Sequence, residues 1–123
     1  MPNIWIAIGA MAGGAGVALG AFGAHGLKTR VSPEMLAVFE TGVRYHLVHA
    51  LALLAVGWVA DRSPGPWASA AGCLFVAGIA VFSGTLYLMT LGGPRWLGVL
   101  TPLGGISFIS GWIALAVASG VRH

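Results

Sequence analysis

Five side chains that can ionise or share protons lie close together at the start of one apolar stretch, ETGVRYHLVHALALL. They are Glu40, Arg44, Tyr45, His46 and His49. Glu40 and Arg44 are four residues apart with the acid first, which is the favourable order for an ion pair on a helix. Tyr45, His46 and His49 lie on the opposite side of that helix, within roughly 100° of one another. The stretch therefore predicts an ion pair and a separate polar histidine patch.

The two histidines are of a type that binds metals, lies beside a haem or quinone, or responds to protons near neutral pH. A closed metal site needs three or four ligands, and only His25, at the end of the first apolar run, can approach the pair. A haem between helices would need histidines on facing helices, and the third and fourth apolar runs contain none. We therefore expect a polar site formed by His25 and the five residues above, without a metal or cofactor.

The composition indicates that the protein is embedded in lipid. Of 123 residues, 58% are hydrophobic and only 7% are charged, whereas soluble domains carry about 25% charged residues. A chain this short cannot bury so much apolar surface in water. The six Lys and Arg residues form no cluster of the kind that binds nucleic acid, and a single cysteine excludes an internal disulfide.

Four apolar runs predict four transmembrane helices in one domain, 1–123, with spans at about 4–24, 41–60, 67–91 and 97–119. A helix needs about 20 apolar residues to cross the hydrocarbon core of a bilayer. The second and third links are short, so the helices they join should be antiparallel. The predicted fold class is thus an all-α membrane protein, a four-helix up-and-down bundle.

The second span poses a length problem. Ser32 and Pro33 read as the N-cap and first position of a helix, yet a helix from Pro33 to Ala60 would measure about 42 Å, longer than the core. We therefore expect a short interfacial helix between helices 1 and 2, with a bend at Gly42.

Basic residues favour one orientation of the bundle. The first and third links and their flanks carry Lys28, Arg30, Arg44 and Arg95, whereas the other side carries Arg62 and Arg122. Cytoplasmic loops are enriched in Lys and Arg. Both termini are therefore expected outside the cytoplasm.

Glycines predict the main packing faces. Five of them recur along the first span within about 40° of one line on the helix: Gly9, Gly13, Gly16, Gly20 and Gly23. Such a stripe lets another helix approach closely, either within the bundle or on another copy of the chain. On the third span, Ser83 and Tyr87 share a face and can reach the same neighbouring helix.

Four segments are specific enough to indicate a family. They are ALGAFGAHGLK, VFETGVRYHLVHALALL, FSGTLYL and RWLGVLTPLGGISFISGW, in order over almost the whole chain. Together they resemble the small integral-membrane family known as domain of unknown function 423 (DUF423), the YgdD/YwdK-like proteins. The resemblance implies a four-helix protein of the bacterial inner membrane. Because the molecular function of the family is uncharacterised, it implies no catalytic residues.

Three classes of function remain to be compared. We expect a non-catalytic accessory or scaffold protein that contacts lipid and a second copy or a larger membrane complex through its glycine-rich helix faces. The alternative is a small transporter or channel with a polar site around Glu40, Arg44, His46 and His49. It ranks lower because Ile4 to Ala24 has no ionisable side chain, and charges within the membrane usually mark a transport path. A metal-, haem- or quinone-binding protein or an enzyme ranks last, because no nucleophile–base pair or full ligand set is visible.

Overall fold

The computed structural model describes residues 3–121, and the side chains of 3–120. Within this range the chain forms four helices: α1 (Ile4–Leu27), α2 (Pro33–Arg62), α3 (Pro66–Thr90) and α4 (Arg95–Gly120). Each is long and apolar enough to cross a membrane. The predicted all-α, four-span fold class is confirmed.

Local sequence signals set where the helices begin. The Ser32 side chain caps α2 by accepting a hydrogen bond from the Met35 backbone N–H at 3.2 Å, and Pro33 takes the first helical turn. Asn3 caps α1 in the same way, accepting from the N–H of Trp5 at 3.2 Å. Both caps satisfy amide groups that a helix start leaves without intrahelical partners.

The helices pack in the order of the chain. α1 packs along α2, α2 lies beside α3, and α3 packs along α4, while α4 touches α2 at fewer points. The pairing is antiparallel: early Gly9 of α1 lies against late Ala50 and Leu54 of α2, and late Gly23 lies against early Phe39. α2 is therefore the central helix, and α1 packs mainly on it, while Trp5 of α1 also lies over Gly72 of α3.

The core is narrow, and large apolar side chains cover the outside. The main cluster of buried residues joins α2, α3 and α4 around Leu53, Phe75 and Phe108. By contrast, Met11, Leu51 and many other large apolar residues are mostly exposed. A lipid environment accounts for this distribution, because acyl chains solvate such surfaces as well as a protein core does.

The expected interfacial helix is not separate in the described chain. α2 is one continuous α-helix of 30 residues, about 45 Å long. Its first turns pack on the bundle, where Phe39, Val43 and Leu27 form a second buried cluster. Gly42 does not mark the end of one helix and the start of another. A Cβ there would lie 2.9 Å from the Tyr87 ring, so the glycine lets α3 approach.

The links between the helices are short, and two of them turn at a glycine. Gly65 and Gly92 adopt positive φ angles of 145° and 105° in the second and third links, a conformation that glycine adopts without steric cost. Arg62 lies over the Trp58 ring, 4.2 Å from its centroid. Arg122, one of the two basic residues that the sequence places on the outer side, lies outside the described residues.

Candidate functional site

His46 is buried in the middle of α2 and connects three helices. Its Nδ1 lies 2.8 Å from the hydroxyl oxygen of Tyr87 in α3. Its Nε2 lies 2.8 Å from the backbone carbonyl oxygen of Ala12 in α1. Gly16, one turn after Ala12, permits this approach, because a Cβ there would lie 2.6 Å from the Leu47 side chain and 3.3 Å from the His46 ring.

The two partners determine how the hydrogen atoms of the His46 ring are arranged. A carbonyl oxygen only accepts hydrogen bonds, so Nε2 carries the hydrogen and donates it to Ala12. In the neutral ring, Nδ1 then accepts the hydrogen of the Tyr87 hydroxyl. Both ring nitrogens and the phenol are satisfied, which matters in lipid because an unpaired polar group there is costly.

His49, one turn further along α2, has the opposite arrangement. Its Nδ1 donates to the backbone carbonyl oxygen of Tyr45 at 2.7 Å. Its Nε2 accepts from the indole N–H of Trp112 in α4, at 3.0 Å. His46 and His49 are therefore held as different tautomers, and each uses both of its nitrogens within the bundle.

Aromatic rings surround His49. Its ring stacks on Phe108, with 3.6 Å between centroids and an angle of 9° between planes. Phe75 lies 5.4 Å from the same ring, and Tyr45 stacks on it at 6.4 Å. This environment is apolar apart from the two hydrogen bonds, and it holds the imidazole in one orientation.

Ser83 and Tyr87 both reach α2, as the sequence predicts. Ser83 donates a hydrogen bond from Oγ to the carbonyl oxygen of Gly42 at 2.7 Å, and Tyr87 meets His46. Ser83 ends a π-helical turn in α3, Ile79–Ser83. A π-helical turn inserts one extra residue and leaves local hydrogen bonding altered, so it changes where the following side chains point.

The expected ion pair is absent from the described part of the chain. Glu40 and Arg44 are both exposed, and no ion pair joins them there. His25 is also exposed and does not join the histidine pair. The six sequence-predicted residues thus separate into two buried histidines, the partly exposed Tyr45 beside them, and three charged or titratable groups on the surface.

The geometry favours cross-linking of helices over reaction chemistry. Among the described residues there is no group of three or more His, Cys, Asp and Glu side chains that could hold a metal ion. A ligand for His46 or His49 would have to replace an existing hydrogen bond of the ring. What the arrangement does is join α2 to α1, α3 and α4 through directional bonds.

Comparison with known proteins places the chain in a family. The profile described as "Protein of unknown function (DUF423)" matches residues 19–105. The chain belongs to the DUF423 family. The matched range contains His46, His49 and Tyr87 and ends before Trp112.

Relatives of this DUF423 protein are described as bacterial membrane proteins. The UPF0382 membrane protein YwdK of Bacillus subtilis is 44% identical, covering 95% of this chain and 96% of its own length. A UPF0382 membrane protein of Staphylococcus aureus is 42% identical over 95% of both chains, and one of Staphylococcus epidermidis is 38% identical over the same shares. No solved structure matches the chain. The protein is thus an integral membrane protein of an uncharacterised family.

The glycine stripe of this DUF423 protein faces α2 along most of α1. A Cβ on Gly9 would lie 2.9 Å from the Ala50 carbonyl oxygen, and one on Gly20 would lie 3.3 Å from Val43. At Gly13 the nearest atom would be 3.9 Å away, and at Gly14, outside the stripe, nothing lies within 4 Å. Contact with α2 is therefore close at Gly9, Gly16 and Gly20 and looser at Gly13.

Two partners in the site were not found from the sequence. The acceptor on Ala12 is a backbone carbonyl group, which every residue carries, so the residue type gives no signal. Trp112 lies in an apolar run, where a tryptophan is ordinarily a core or interface residue. A signal for Trp112 would have been that its indole N–H needs an acceptor inside the membrane, and His49 is the nearest imidazole on a neighbouring span.

Proposed function

We propose that this DUF423 protein is a non-catalytic accessory or scaffold protein of the bacterial inner membrane, which packs against a membrane partner through the outer face of α1. The observation that carries the proposal is the difference between the two sides of α1. One side is closed against α2, while the other carries exposed small residues: Ala7, Ala10, Gly14, Ala18 and Ala21.

A shallow groove runs between α1 and α2 on that exposed side. Its volume is about 360 Å³, and its lining is apolar. Small residues from α1, such as Ala10 and Gly14, form one wall, and larger ones from α2, such as Leu47 and Leu51, form the other. Small residues allow two helix backbones to approach closely, and the resulting van der Waals packing is one of the forces that associate helices in lipid.

The arrangement of the histidines supports a non-catalytic role over the transporter alternative. His46 and His49 lie near the middle of α2, but their nitrogens are occupied by protein partners. The charged residues Glu40 and Arg44 are exposed and do not meet them. A substrate path would need these groups to line one shared cavity.

Site-specific photo-crosslinking in native membranes tests the proposal. A photoreactive amino acid at Leu51, which is 67% exposed beside the groove, should give a discrete protein adduct. The matched control is Ile109 on α4, which is 62% exposed and lies outside that groove. The Leu51 adduct should disappear when Gly14→Leu blocks close approach to α1. Adducts of equal yield at both positions, or none at Leu51, would disprove packing through this face.

We also propose that both termini lie outside the cytoplasm, on the basis of the Lys and Arg residues near the first and third links. Membrane-impermeant thiol labelling of intact cells checks this in a Cys73→Ala background. A cysteine in place of Ser63, in the second link, should be labelled from outside, and one in place of Thr29, in the first link, should not. The reverse pattern would invert the topology.

A further inference from the structure

We propose that a groove between the start of α2 and the end of α3 binds one anionic phospholipid, with Arg95 holding the phosphate. This site is independent of the α1 face proposed above. The groove has a volume of about 390 Å³, which is within the range of small-molecule sites. It lies at the end of the bundle where α2 begins, α3 ends and α4 begins.

The groove has an apolar part and a cationic part. Met35 and Val38 of α2 and Met89 of α3 line the apolar part, and all three are half-buried. Arg95, in the first turn of α4, supplies the cationic part of the lining. A phospholipid has the same two kinds of part, an apolar acyl chain and a charged headgroup.

Arg95 has the free hydrogen-bond donors that a phosphate requires. Its side chain is exposed and has no ion pair or hydrogen bond to any other described residue. A guanidinium group presents five N–H donors and binds phosphate oxygens in pairs. Other polar hydrogens of the groove are already used: the Gly93 N–H donates to Leu88 at 2.7 Å, and the Thr90 hydroxyl donates to Leu86 at 2.8 Å.

The position of the groove suits a lipid headgroup. Trp96, the residue after Arg95, is 62% exposed, and exposed tryptophans concentrate at the boundary between hydrocarbon and headgroups. The same end of the bundle carries Lys28, Arg30 and Arg44 against Glu34 and Glu40. Net positive charge near a membrane surface attracts anionic lipids, and the groove gives one of them a defined place.

Thermal unfolding of the detergent-purified full chain provides the test. Phosphatidylglycerol should raise the melting temperature by several degrees more than phosphatidylcholine with the same acyl chains. Arg95→Gln should remove most of this difference. Arg30→Gln, which deletes an exposed arginine outside the groove at the same end, should retain it. Arg95→Lys keeps the charge but loses the planar donor pair and should give an intermediate value.

Native mass spectrometry of the same samples adds a count of bound lipids. One phosphatidylglycerol should stay bound to the wild type and to Arg30→Gln, and it should be lost from Arg95→Gln. Equal losses in the two variants would show a diffuse charge effect and overturn the site. Equal stabilisation by the two lipids would also overturn it. If sodium glycerol phosphate alone stabilises as well as the lipid does, the site binds soluble anions and the proposal is wrong.

Discussion

The pair α1–α2 and the pair α3–α4 both use glycines to pack, but they do so differently. In the first pair, glycines of α1 meet mainly aliphatic side chains and backbone of α2, as Gly16 meets Leu47, and only Gly23 meets a phenylalanine ring of α2, that of Phe39. In the second pair, each helix inserts a phenylalanine over a glycine of the other. Phe75 of α3 covers Gly111 of α4, and Phe108 of α4 covers Gly78 of α3.

Hydrogen bonds between helices reinforce both pairs. Ser107 of α4 donates a hydrogen bond to the Leu74 carbonyl oxygen at 2.7 Å, and the Thr85 and Thr101 hydroxyls lie 2.7 Å apart. α1 is tied to α2 by His46 near its middle, and by the Asn3 side chain at its end, which donates to Gly57 at 2.9 Å. Both interfaces thus combine close packing at glycines with hydrogen bonds, and they differ in which side chains cover the glycines.

Gly111→Leu should produce the largest loss of stability. A Cβ at this position would already lie 2.7 Å from the Phe75 ring, and Phe75 is fully buried, so it has no space to move into. We expect destabilisation of about 3 kcal/mol, at the upper end of overpacking effects. Thermal unfolding in detergent measures it. The control is Gly120→Leu on the same helix, where nothing lies within 4 Å. Equal melting of the two variants would mean that α3 and α4 do not interlock.

Gly16→Leu should cost less, about 2 kcal/mol. Its Cβ would meet the end of the Leu47 side chain at 2.6 Å, and that side chain can partly turn away because Leu47 is not fully buried. Gly14→Leu is the matched control, two residues away on the exposed side, with nothing within 4 Å. In purified protein without a partner, Gly14→Leu should melt like the wild type. If it destabilises as much as Gly16→Leu, then α1 is not held through its glycine stripe.

The sequence predicts the packing face of α1, but it does not predict the interface between α3 and α4. The regular spacing of glycines along α1 can be seen in one helix alone. The reciprocal phenylalanines need two helices in a known register, and hydropathy does not give that register.

The ion pair predicted between Glu40 and Arg44 does not form in the structure. Spacing makes such a pair possible, but exposed side chains gain little from pairing and lose conformational entropy. An interfacial helix separate from the second span was predicted because one helix of this length exceeds the thickness of the bilayer core. The sequence does not show the buried contacts of Phe39, which hold the first turns of α2 against the bundle.

The smallest loss of stability should follow from removing the hydrogen bond between His46 and Tyr87. This bond joins α2 of the first helix pair to α3 of the second. Tyr87→Phe removes the hydroxyl and leaves Nδ1 of His46 without its partner. His46→Phe removes that bond and the bond to the Ala12 carbonyl. Interhelical hydrogen bonds in membrane proteins contribute on average about 0.6 kcal/mol and up to about 1.7 kcal/mol. We therefore expect Tyr87→Phe to cost about 1 kcal/mol, and His46→Phe somewhat more.

The double variant separates this bond from general loss of packing. If the two groups interact directly, the cost of Tyr87→Phe in the His46→Phe background should fall close to zero, because the bond is already gone. Thr41→Ala supplies a control of similar kind, since its hydroxyl donates to the Ala37 carbonyl within the same helix at 2.9 Å and joins no second helix. Its effect should be unchanged in the His46→Phe background. Additive costs for His46 and Tyr87 would mean that the two side chains share no stabilising hydrogen bond, and Nδ1 of the histidine would then be free for another role.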